Sequence, residues 1–159
     1  MRTIYTDGAC SNNGSNNATG GLGIYCPDDG SEHSIGYPNE LYGGPTNNRC
    51  EMLAVVTALH LYQDDHIRIY SDSNLLVEGM NKWIQRWIVK GWKTSSNKPV
   101  KNLELWKELI KKCEQRTVEF VYVEAHVGIQ ENEKADELAY AAAQASRITK
   151  DDVFHCETL

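Results

Sequence analysis

Three short strand-like segments open the chain, and after them strand-like and helical segments alternate. Apolar and β-branched runs predict the strands, and apolar residues at helical spacing predict the helices. The predicted strands are 3–6, 22–25, 32–36, 67–70 and 118–123, and the predicted helices are 49–62, 74–90 with a break near Gly79, 101–115 and 131–146. This order predicts an α/β fold in which helices pack on a mixed sheet.

The length and composition are typical of one globular domain. The chain has 159 residues, of which 41% are hydrophobic and 24% charged, and these values exclude a disordered chain or a fibre. No apolar run approaches the ~18 residues of a membrane span, and Asp7 comes too early for a secretory signal. The five scattered cysteines show no CxxC spacing, which indicates reduced thiols. We therefore expect a cytoplasmic protein without membrane contact.

Charge is strongly segregated along the sequence. The chain carries a net charge of −6, yet residues 80–116 hold ten Lys or Arg against three Glu, and they also hold all four tryptophans. Basic side chains interleaved with large aromatic ones suit a polyanion with apolar or stackable faces. A solvated helix face over a tryptophan-rich core explains the same pattern, and the sequence leaves both interpretations open.

Four acidic residues stand out by their predicted positions. Asp7 and Asp72 each follow a predicted strand, and Glu51 and Asp136 lie in the first turns of predicted helices. Ligands gather near the C-terminal ends of parallel strands, so the two aspartates are the first indication of a site. Taken singly, each acid is equally explained by turn formation, capping or the helix dipole.

Convergence of these four carboxylates would require cations. Like charges at close range make ionisation unfavourable unless positive charge neutralises them. Hard oxygen ligands without a nearby cysteine or histidine pair select Mg²⁺ or Mn²⁺ over zinc. Two such ions about 4 Å apart can activate a water and stabilise the leaving oxygen of a phosphodiester. A negative centre beside a positive arm therefore favours chemistry on a nucleic acid.

An ordered set of motifs identifies a family. The motifs are Tyr5-Thr6-Asp7-Gly8-Ala9-Cys10, Thr46-Asn47-Asn48-Arg49-Cys50-Glu51, Tyr70-Ser71-Asp72-Ser73, the segment from Trp83 to Thr94, Lys98-Pro99-Val100-Lys101-Asn102, and His126 followed by residues 131–139. In this order, over residues 2–146, they make the sequence resemble ribonuclease H of the cellular type 1 class. The resemblance implies a ribonuclease H-like fold, whose five-stranded mixed sheet has the order 3-2-1-4-5 and helices on both faces.

The resemblance implies an endoribonuclease that hydrolyses the RNA strand of RNA–DNA hybrids. It implies a two-metal mechanism with two Mg²⁺ ions, for which Mn²⁺ is expected to substitute, and products with 5′-phosphate and 3′-hydroxyl ends. Asp7, Glu51, Asp72 and Asp136 match the family's metal-binding carboxylates. Asp7 and Asp72 would be the central ligands, Glu51 would help to orient the attacking water or its metal and meet the RNA 2′-hydroxyl, and Asp136 would complete the second metal site.

A histidine and a further acid complete the expected catalytic set. His126 matches the family's mobile histidine, which shuttles a proton or speeds product release, and Glu133 is expected to perturb the metal site during release. A single histidine after a strand is also explained as a surface residue. Glu124-Ala125 stands before His126 where many members have a basic residue and a glycine, which adds negative charge near the histidine.

The resemblance also implies a set of substrate contacts. The expected substrate-binding residues are Thr46, Asn47, Asn48, Asn74, Trp83, Trp87, Lys90 and Lys93. The asparagines would bind 2′-hydroxyls in the minor groove, although Asn47 and Asn48 are also explained as helix caps. Thr46 would hold a DNA phosphate, and residues 82–101 match the family's basic handle. Trp92 and Trp106 are expected to be core residues.

The domain organisation and two alternative functions complete the predictions. Residues 1–146 are expected to form the catalytic domain, with 147–159 as a polar tail and a long asparagine-rich loop over 11–20. We expect a monomer, because the groove needs no second subunit, and the Met1 start favours a free chain. A non-catalytic binding module would lack one of the acids. Another nuclease of the same broad fold would lack the handle and the Thr46-Asn47-Asn48 cluster.

Overall fold

Five strands and five α-helices form an α/β fold around one mixed sheet. The computed structural model describes residues 1–13 and 16–158, with the backbone alone over 147–158. The strands are β1 Arg2–Ser11, β2 Thr19–Cys26, β3 Ser31–Gly36, β4 His66–Ser71 and β5 Thr117–Tyr122. The helices are α1 Asn47–Leu61, α2 Asn74–Glu78, α3 Ile84–Val89, α4 Leu103–Cys113 and α5 Gln130–Thr158. The sheet order is β3-β2-β1-β4-β5, which confirms the predicted order.

The first strand is longer than the sequence pattern predicts. Residues 7–11 belong to β1 and residues 19–21 to β2, so the predicted strands 3–6 and 22–25 are too short and the loop predicted over 11–20 is wrong at both of its ends. The antiparallel ladder between β1 and β2 runs to Ser11↔Thr19, whereas the parallel ladder between β1 and β4 ends at Thr6↔Ser71. Asp7 therefore lies inside β1, at the point where β1 and β4 separate, and not at the strand's end.

Helices α1 and α5 cover opposite faces of the sheet. Neighbouring residues of a strand point to opposite faces. A Cβ atom placed on Gly20 would meet Cys50 of α1, whereas one placed on Gly21 would meet Ala139 and Ala142 of α5. Glycine at 21 and 23 lets the backbone of α5 lie directly on β2, because a side chain there would overlap the helix backbone. The prediction of helices on both faces is therefore confirmed.

The core lies mainly between the sheet and helices α1 and α4. Most of its large, wholly buried side chains come from the strands and from these two helices, and Leu76 of α2 joins them: Ile4, Leu22, Ile24, Ile67, Ile69, Met52, Val55, Leu59, Leu76, Leu105, Trp106 and Leu109. Helix α1 is apolar on nearly every side, as expected for a helix enclosed between a sheet and a second helix. The core thus fixes α1, and with it Glu51 in the second turn.

The predicted basic handle, residues 82–101, lies between α2 and α4 and is called the basic arm below. The predicted break near Gly79 takes the form of a π-helical turn, Gly79–Trp83, between α2 and α3. The Trp87 ring packs edge-on against Trp106, with 5.2 Å between ring centroids, and Trp106 is only 2% exposed. Trp92 is half-buried and packs against the same cluster. The tryptophans thus anchor the arm to the body of the protein, as expected for Trp92 and Trp106.

The last helix continues beyond its predicted end. Helix α5 runs from Gln130 to Thr158, whereas the sequence pattern predicted a helix over 131–146 and a polar tail over 147–159. The backbone of 147–158 is helical, and the side chains of this segment and residue 159 lie outside the described part of the chain. Within the described residues, no helix is long and apolar enough to cross a membrane. The domain boundary at residue 146 stays a prediction.

Substitution of Gly23 tests the close packing of α5. A Cβ atom at Gly23 would overlap the carbonyl oxygen of Ala135, so we expect Gly23→Ala to lower the free energy of unfolding by about 2–3 kcal/mol. Urea unfolding measures the change. The control is Gly30→Ala, where the new methyl meets open space and the positive φ alone costs about 1 kcal/mol. Equal losses in the two variants would contradict close packing of α5 as the reason for Gly23.

Candidate active site

Three carboxylates meet where β1 and β4 separate. Asp7, Glu51 and Asp72 each offer an oxygen, and these three oxygens all lie within 4.8 Å of one another. Asp7 comes from the middle of β1, Glu51 from α1, and Asp72 from the residue directly after β4. The end of the parallel ladder opens a gap between the two strands, and α1 directs Glu51 toward it. The structure therefore brings together three of the four predicted carboxylates.

The fourth predicted carboxylate lies beside this group. Asp136 is in the second turn of α5, and its side chain is close enough to Asp7 to form a hydrogen bond that raises the pKa of Asp7. Its charge also raises the pKa of Glu51. Asp136 is not one of the three residues whose oxygens are all within 4.8 Å of one another. It extends the anionic surface on the α5 side.

Burial and the charges of neighbouring acids make Asp7 and Glu51 hard to ionise. Asp7 is 3% exposed, and the Gly8 amide donates a hydrogen bond to its Oδ1 at 2.8 Å. Burial is the main cause that raises the pKa of Asp7, and the charges of Glu51 and Asp72 raise it further. Burial also raises the pKa of Glu51, and Asp72 adds to this, against hydrogen bonds from Asp7 and Gly8. Each carboxylate destabilises the charged form of its neighbours.

The oxygen atoms of the group fit a hard divalent cation. The Oε2 atom of Glu51 is buried and has no hydrogen-bond partner among the described residues. A buried carboxylate oxygen without a donor is unfavourable unless a cation or water meets it. All of the converging donors are carboxylate oxygens, which suit Mg²⁺ or Mn²⁺ better than softer metals. The three residues thus form a candidate metal site.

His126 lies on a turn at the same edge of the sheet. The turn joins β5 to α5. At its start the Val123 amide donates to the carbonyl oxygen of Ser71 at 3.0 Å, and Ser71 directly precedes Asp72. His126 is exposed and has a positive φ of 58°, and Gly128 follows with a φ of 89°. The histidine lies outside the carboxylate triad. Glu133 is exposed in the first turn of α5.

The start of α1 presents exposed asparagines. The Thr46 hydroxyl caps the helix by accepting a hydrogen bond from the Arg49 amide at 3.1 Å. Capping therefore does not explain the side chains of Asn47 and Asn48, both of which are exposed. The Asn13 side chain, from the loop after β1, accepts a hydrogen bond from the Asn47 amide at 3.0 Å. This contact joins the asparagine-rich loop to the start of α1.

The start of α2 repeats this arrangement. The Ser73 hydroxyl caps α2 by accepting from the Leu76 amide at 3.3 Å, and Asn74 is exposed in the first turn. Exposed carboxamides thus follow a hydroxyl cap at two helix starts.

The basic arm forms a groove around two tryptophans. A cleft of about 320 Å³ is lined by Trp83, Arg86, Trp87, Lys90, Lys93, Thr94 and Ser95. The structure therefore brings Trp83, Trp87, Lys90 and Lys93 together around one cleft, and their role in substrate binding stays a prediction. The two tryptophan rings pack with 5.9 Å between their centroids. Sequence reasoning missed Arg86 and Thr94, although Arg86 could have been found as a basic residue one turn before Lys90.

A second cleft connects this groove to α1. It measures about 310 Å³, shares Trp83, Trp87 and Thr94 with the first, and reaches Asn48 and Asn102. Asn102 accepts a hydrogen bond from the Arg49 side chain at 3.1 Å. A continuous surface therefore extends from the asparagines at the start of α1 to the lysines of the arm.

Asn132 is a buried polar residue that sequence reasoning passed over. It is 2% exposed, and its Nδ2 atom donates to Oδ2 of Asp72 at 3.4 Å. Its position four residues before Asp136 places both side chains on one face of α5. The sequence signal that was available is this four-residue spacing, which shows that the two residues share a helix face but not that Asn132 is buried.

Known proteins share both the sequence and the fold. A family model described as RNase H matches residues 1–144. Ribonuclease H of Rippkaea orientalis is 39% identical over 156 residues, which covers 95% of this chain and 90% of that protein. Ribonuclease H of Hyphomonas neptunium is 43% identical over 143 residues, covering 87% and 89%. Ribonuclease HI of Synechocystis is 37% identical over 154 residues, covering 96% and 93%.

Solved ribonuclease H structures have a similar fold. The crystal structure of LC9-RNase H1, a type 1 RNase H with the type 2 active-site motif, is 28% identical with a TM-score of 0.74, covering 91% of this chain and 72% of that one. The solution structure of the PFV RNase H domain is 21% identical with a TM-score of 0.71, covering 91% and 94%, and it shows a shared fold. The chain belongs to the ribonuclease H family and is a ribonuclease H enzyme.

The raised carboxyl pKa values predict how the metal-free protein responds to pH. A carboxyl group whose pKa is higher in the folded than in the unfolded state stabilises the protein at low pH, and this stabilisation is lost as pH rises above about 4. Asparagine carries no charge, so we expect Asp7→Asn to be more stable than the parent protein at pH 8 in chelator. The gain should grow by at most about 1.4 kcal/mol for each pH unit above about 4.

Urea unfolding at pH 5 and pH 8, in chelator and in Mg²⁺, measures this effect. The advantage of Asp7→Asn should shrink at pH 5, and Mg²⁺ should stabilise the parent protein far more than the variant. An Asp7→Asn protein that is less stable than the parent at pH 8 in chelator would show that repulsion is not the dominant interaction at this site.

Proposed function

We propose that this ribonuclease H hydrolyses the RNA strand of RNA–DNA hybrids and leaves 5′-phosphate and 3′-hydroxyl ends. The observation that carries the proposal is the converging triad of Asp7, Glu51 and Asp72 on the same molecule as a basic groove lined by tryptophans. A centre that needs cations and a groove that suits a polyanion are the two requirements for cleaving a nucleic acid. The proposed substrate and product ends rest on the resemblance to type 1 ribonuclease H.

Two Mg²⁺ ions are proposed as the cofactor, with Mn²⁺ as a substitute. Asp7, Glu51 and Asp72 would hold one ion, and Asp136, beside Asp7, would complete the second site. Bound there, the ions would activate a water and stabilise the charge that develops on the phosphate and the leaving oxygen. The unpartnered Oε2 of Glu51 supports this assignment, because a cation or its water would satisfy that buried oxygen.

The protein's own groups are proposed to handle protons and product release. Glu51 would orient the attacking water, since its Oε2 is buried and has no hydrogen-bond partner among the described residues. His126 would accept and return a proton near the leaving strand, since its imidazole is exposed on the turn at this edge of the sheet. Glu133, exposed in the first turn of the next helix, would perturb the metal site during product release.

The exposed amides and the groove are proposed to distinguish the two strands. Asn47, Asn48 and Asn74 would bind RNA 2′-hydroxyls in the wide minor groove. Trp83 and Trp87 would pack against deoxyriboses, which lack that hydroxyl. The residues proposed to hold phosphates are Thr46, Lys90 and Lys93. The presence of all four acids and of the arm disfavours a non-catalytic binding module and a nuclease of another specificity.

The cellular setting is proposed from the same features. We propose that the protein acts as a monomer, because the triad and the groove come from one chain. We propose a cytoplasmic location because the scattered cysteines without CxxC spacing indicate reduced thiols. The catalytic domain would span residues 1–146, within which the family model matches 1–144.

Cleavage of labelled nucleic acids tests the proposed reaction. The parent protein should cleave the RNA strand of a hybrid in Mg²⁺, with no cleavage in chelator and none of duplex DNA or duplex RNA. Asp72→Asn should lower kcat by roughly 10³-fold or more, because several kcal/mol of charge stabilisation are lost. End-group analysis should find 5′-phosphate on the products.

A binding measurement on the same variant is the control. Hybrid binding by Asp72→Asn, measured in filter or anisotropy assays, should stay within a few-fold of the parent protein. Metal-independent cleavage, or equal cleavage of hybrid and duplex DNA, would exclude the proposed reaction.

Lysine substitutions test the groove. Lys90→Ala and Lys93→Ala should raise KM for the hybrid and leave kcat unchanged, because each lysine would neutralise one phosphate. Each should also reduce the slope of log K against log salt by roughly 0.9. The matched control is Lys111→Ala, an exposed lysine of α4 that lines neither cleft. Identical salt slopes for all four proteins would remove the groove from substrate binding.

A further inference from the structure

Asn132 is a buried carboxamide next to the metal site. It is the third residue of α5 and is 2% exposed, whereas the residues on either side of it in sequence are more accessible. The helix that carries it lies directly on β2, where Gly21 and Gly23 admit the backbone at Ala135 and Ala139. The position of Asn132 relative to the sheet is therefore fixed by close packing.

The amide group of Asn132 has a defined orientation. Its Nδ2 atom lies 3.4 Å from Oδ2 of Asp72, and only the NH₂ end of a carboxamide can donate to a carboxylate. A hydrogen bond to one oxygen limits rotation of the carboxylate and so fixes the direction of its other oxygen. Asp72 offers an oxygen to the triad, so this contact acts on a candidate metal ligand.

The other end of the amide is unsatisfied. The Oδ1 atom of Asn132 is buried and has no hydrogen-bond partner among the described residues. A half-satisfied buried amide destabilises a protein relative to an apolar side chain of similar size. Packing alone therefore does not account for asparagine at this position, whereas donation to Asp72 does.

One helix face thus reaches both strands of the site. Asn132 donates to Asp72, which follows β4, and Asp136, one turn later, lies near Asp7 of β1. The two carboxylate-bearing strands separate at this point, and α5 bridges the gap between them from one side.

We infer that Asn132 is a positioning residue that holds Asp72 in the orientation needed to bind the divalent ion. The inference rests on the proposed function, because it assigns Asp72 to the metal site. Asn132 touches no substrate in this role and acts through the Asp72 carboxylate. Its removal should therefore weaken metal binding and turnover, while hybrid binding through the groove is retained.

The test compares Asn132→Ala with Asn81→Ala. The Asn81 side chain donates to the Phe120 carbonyl oxygen at 3.0 Å and forms no hydrogen bond to the triad in the described part of the chain, so it controls for the loss of a structural side-chain hydrogen bond. Mg²⁺ affinity is measured on the substrate-free protein from the rise of Tm with Mg²⁺ concentration. We expect Asn132→Ala to weaken Mg²⁺ binding about tenfold and to lower kcat about 10–100-fold. KM for the hybrid should stay within twofold, and Asn81→Ala should leave Mg²⁺ affinity unchanged.

The possible outcomes separate this inference from the proposed function. Asn132→Ala with unchanged Mg²⁺ affinity and kcat, whatever its Tm, would overturn the positioning role. The parent protein and Asp72→Asn are measured in parallel. A parent protein without Mg²⁺-dependent cleavage of the hybrid would overturn the proposed function, whereas an Asp72→Asn protein that keeps both Mg²⁺ binding and cleavage would overturn only the assignment of Asp72 to the metal site. If Asn132→Ala does not fold, Asn132→Ser takes its place, because its hydroxyl is too short to reach Asp72 and the same losses are expected.

Discussion

The repulsion among converging carboxylates is the interaction on which the rest of this structure depends. Asp7, Glu51 and Asp72 bring like charges within 4.8 Å, and burial raises the pKa values of Asp7 and Glu51. Such an arrangement lowers stability unless a cation completes it, so its persistence in a folded protein indicates a purpose other than stability. The fold maintains this unfavourable group because rigid elements hold each carboxylate: a central strand, an enclosed helix and the end of a second strand.

The site lies where strand β1 stops pairing with β4 and pairs with β2 alone. Strand β1 pairs with β4 only as far as Thr6, and beyond that point it continues with β2 alone as far as Ser11. The gap that opens beside Asp7 is reached from one face by α1, with Glu51, and from the other by α5, with Asn132 and Asp136. Gly21 and Gly23 of β2 contribute to this arrangement, because they let the backbone of α5 approach the sheet at Ala135 and Ala139. The turns that carry Asn132 and Asp136 are thereby held beside the site.

Much of this arrangement could be predicted from the sequence, and what was missed has physical reasons. The strand and helix order and the acids at element ends follow from periodicity and from the ordered motifs. The extension of β1 past Asp7 did not, because residues rich in glycine, asparagine and serine are typical of loops, and here only packing against two helices makes them strands. Asn132 was passed over because burial of a polar side chain is a property of the fold, which local sequence does not encode. The helical backbone after residue 146 was missed because its polar residues show no apolar face.

The most direct test of this account is the location of a divalent ion by anomalous scattering from crystals grown with Mn²⁺. We predict an anomalous peak between Asp7, Glu51 and Asp72, at coordination distance from at least two of their carboxylates, and its loss in crystals of Asp7→Asn. Crystals that show no peak at this triad at saturating Mn²⁺, or the same peak in the variant, would contradict the claim that these carboxylates converge in order to bind a metal.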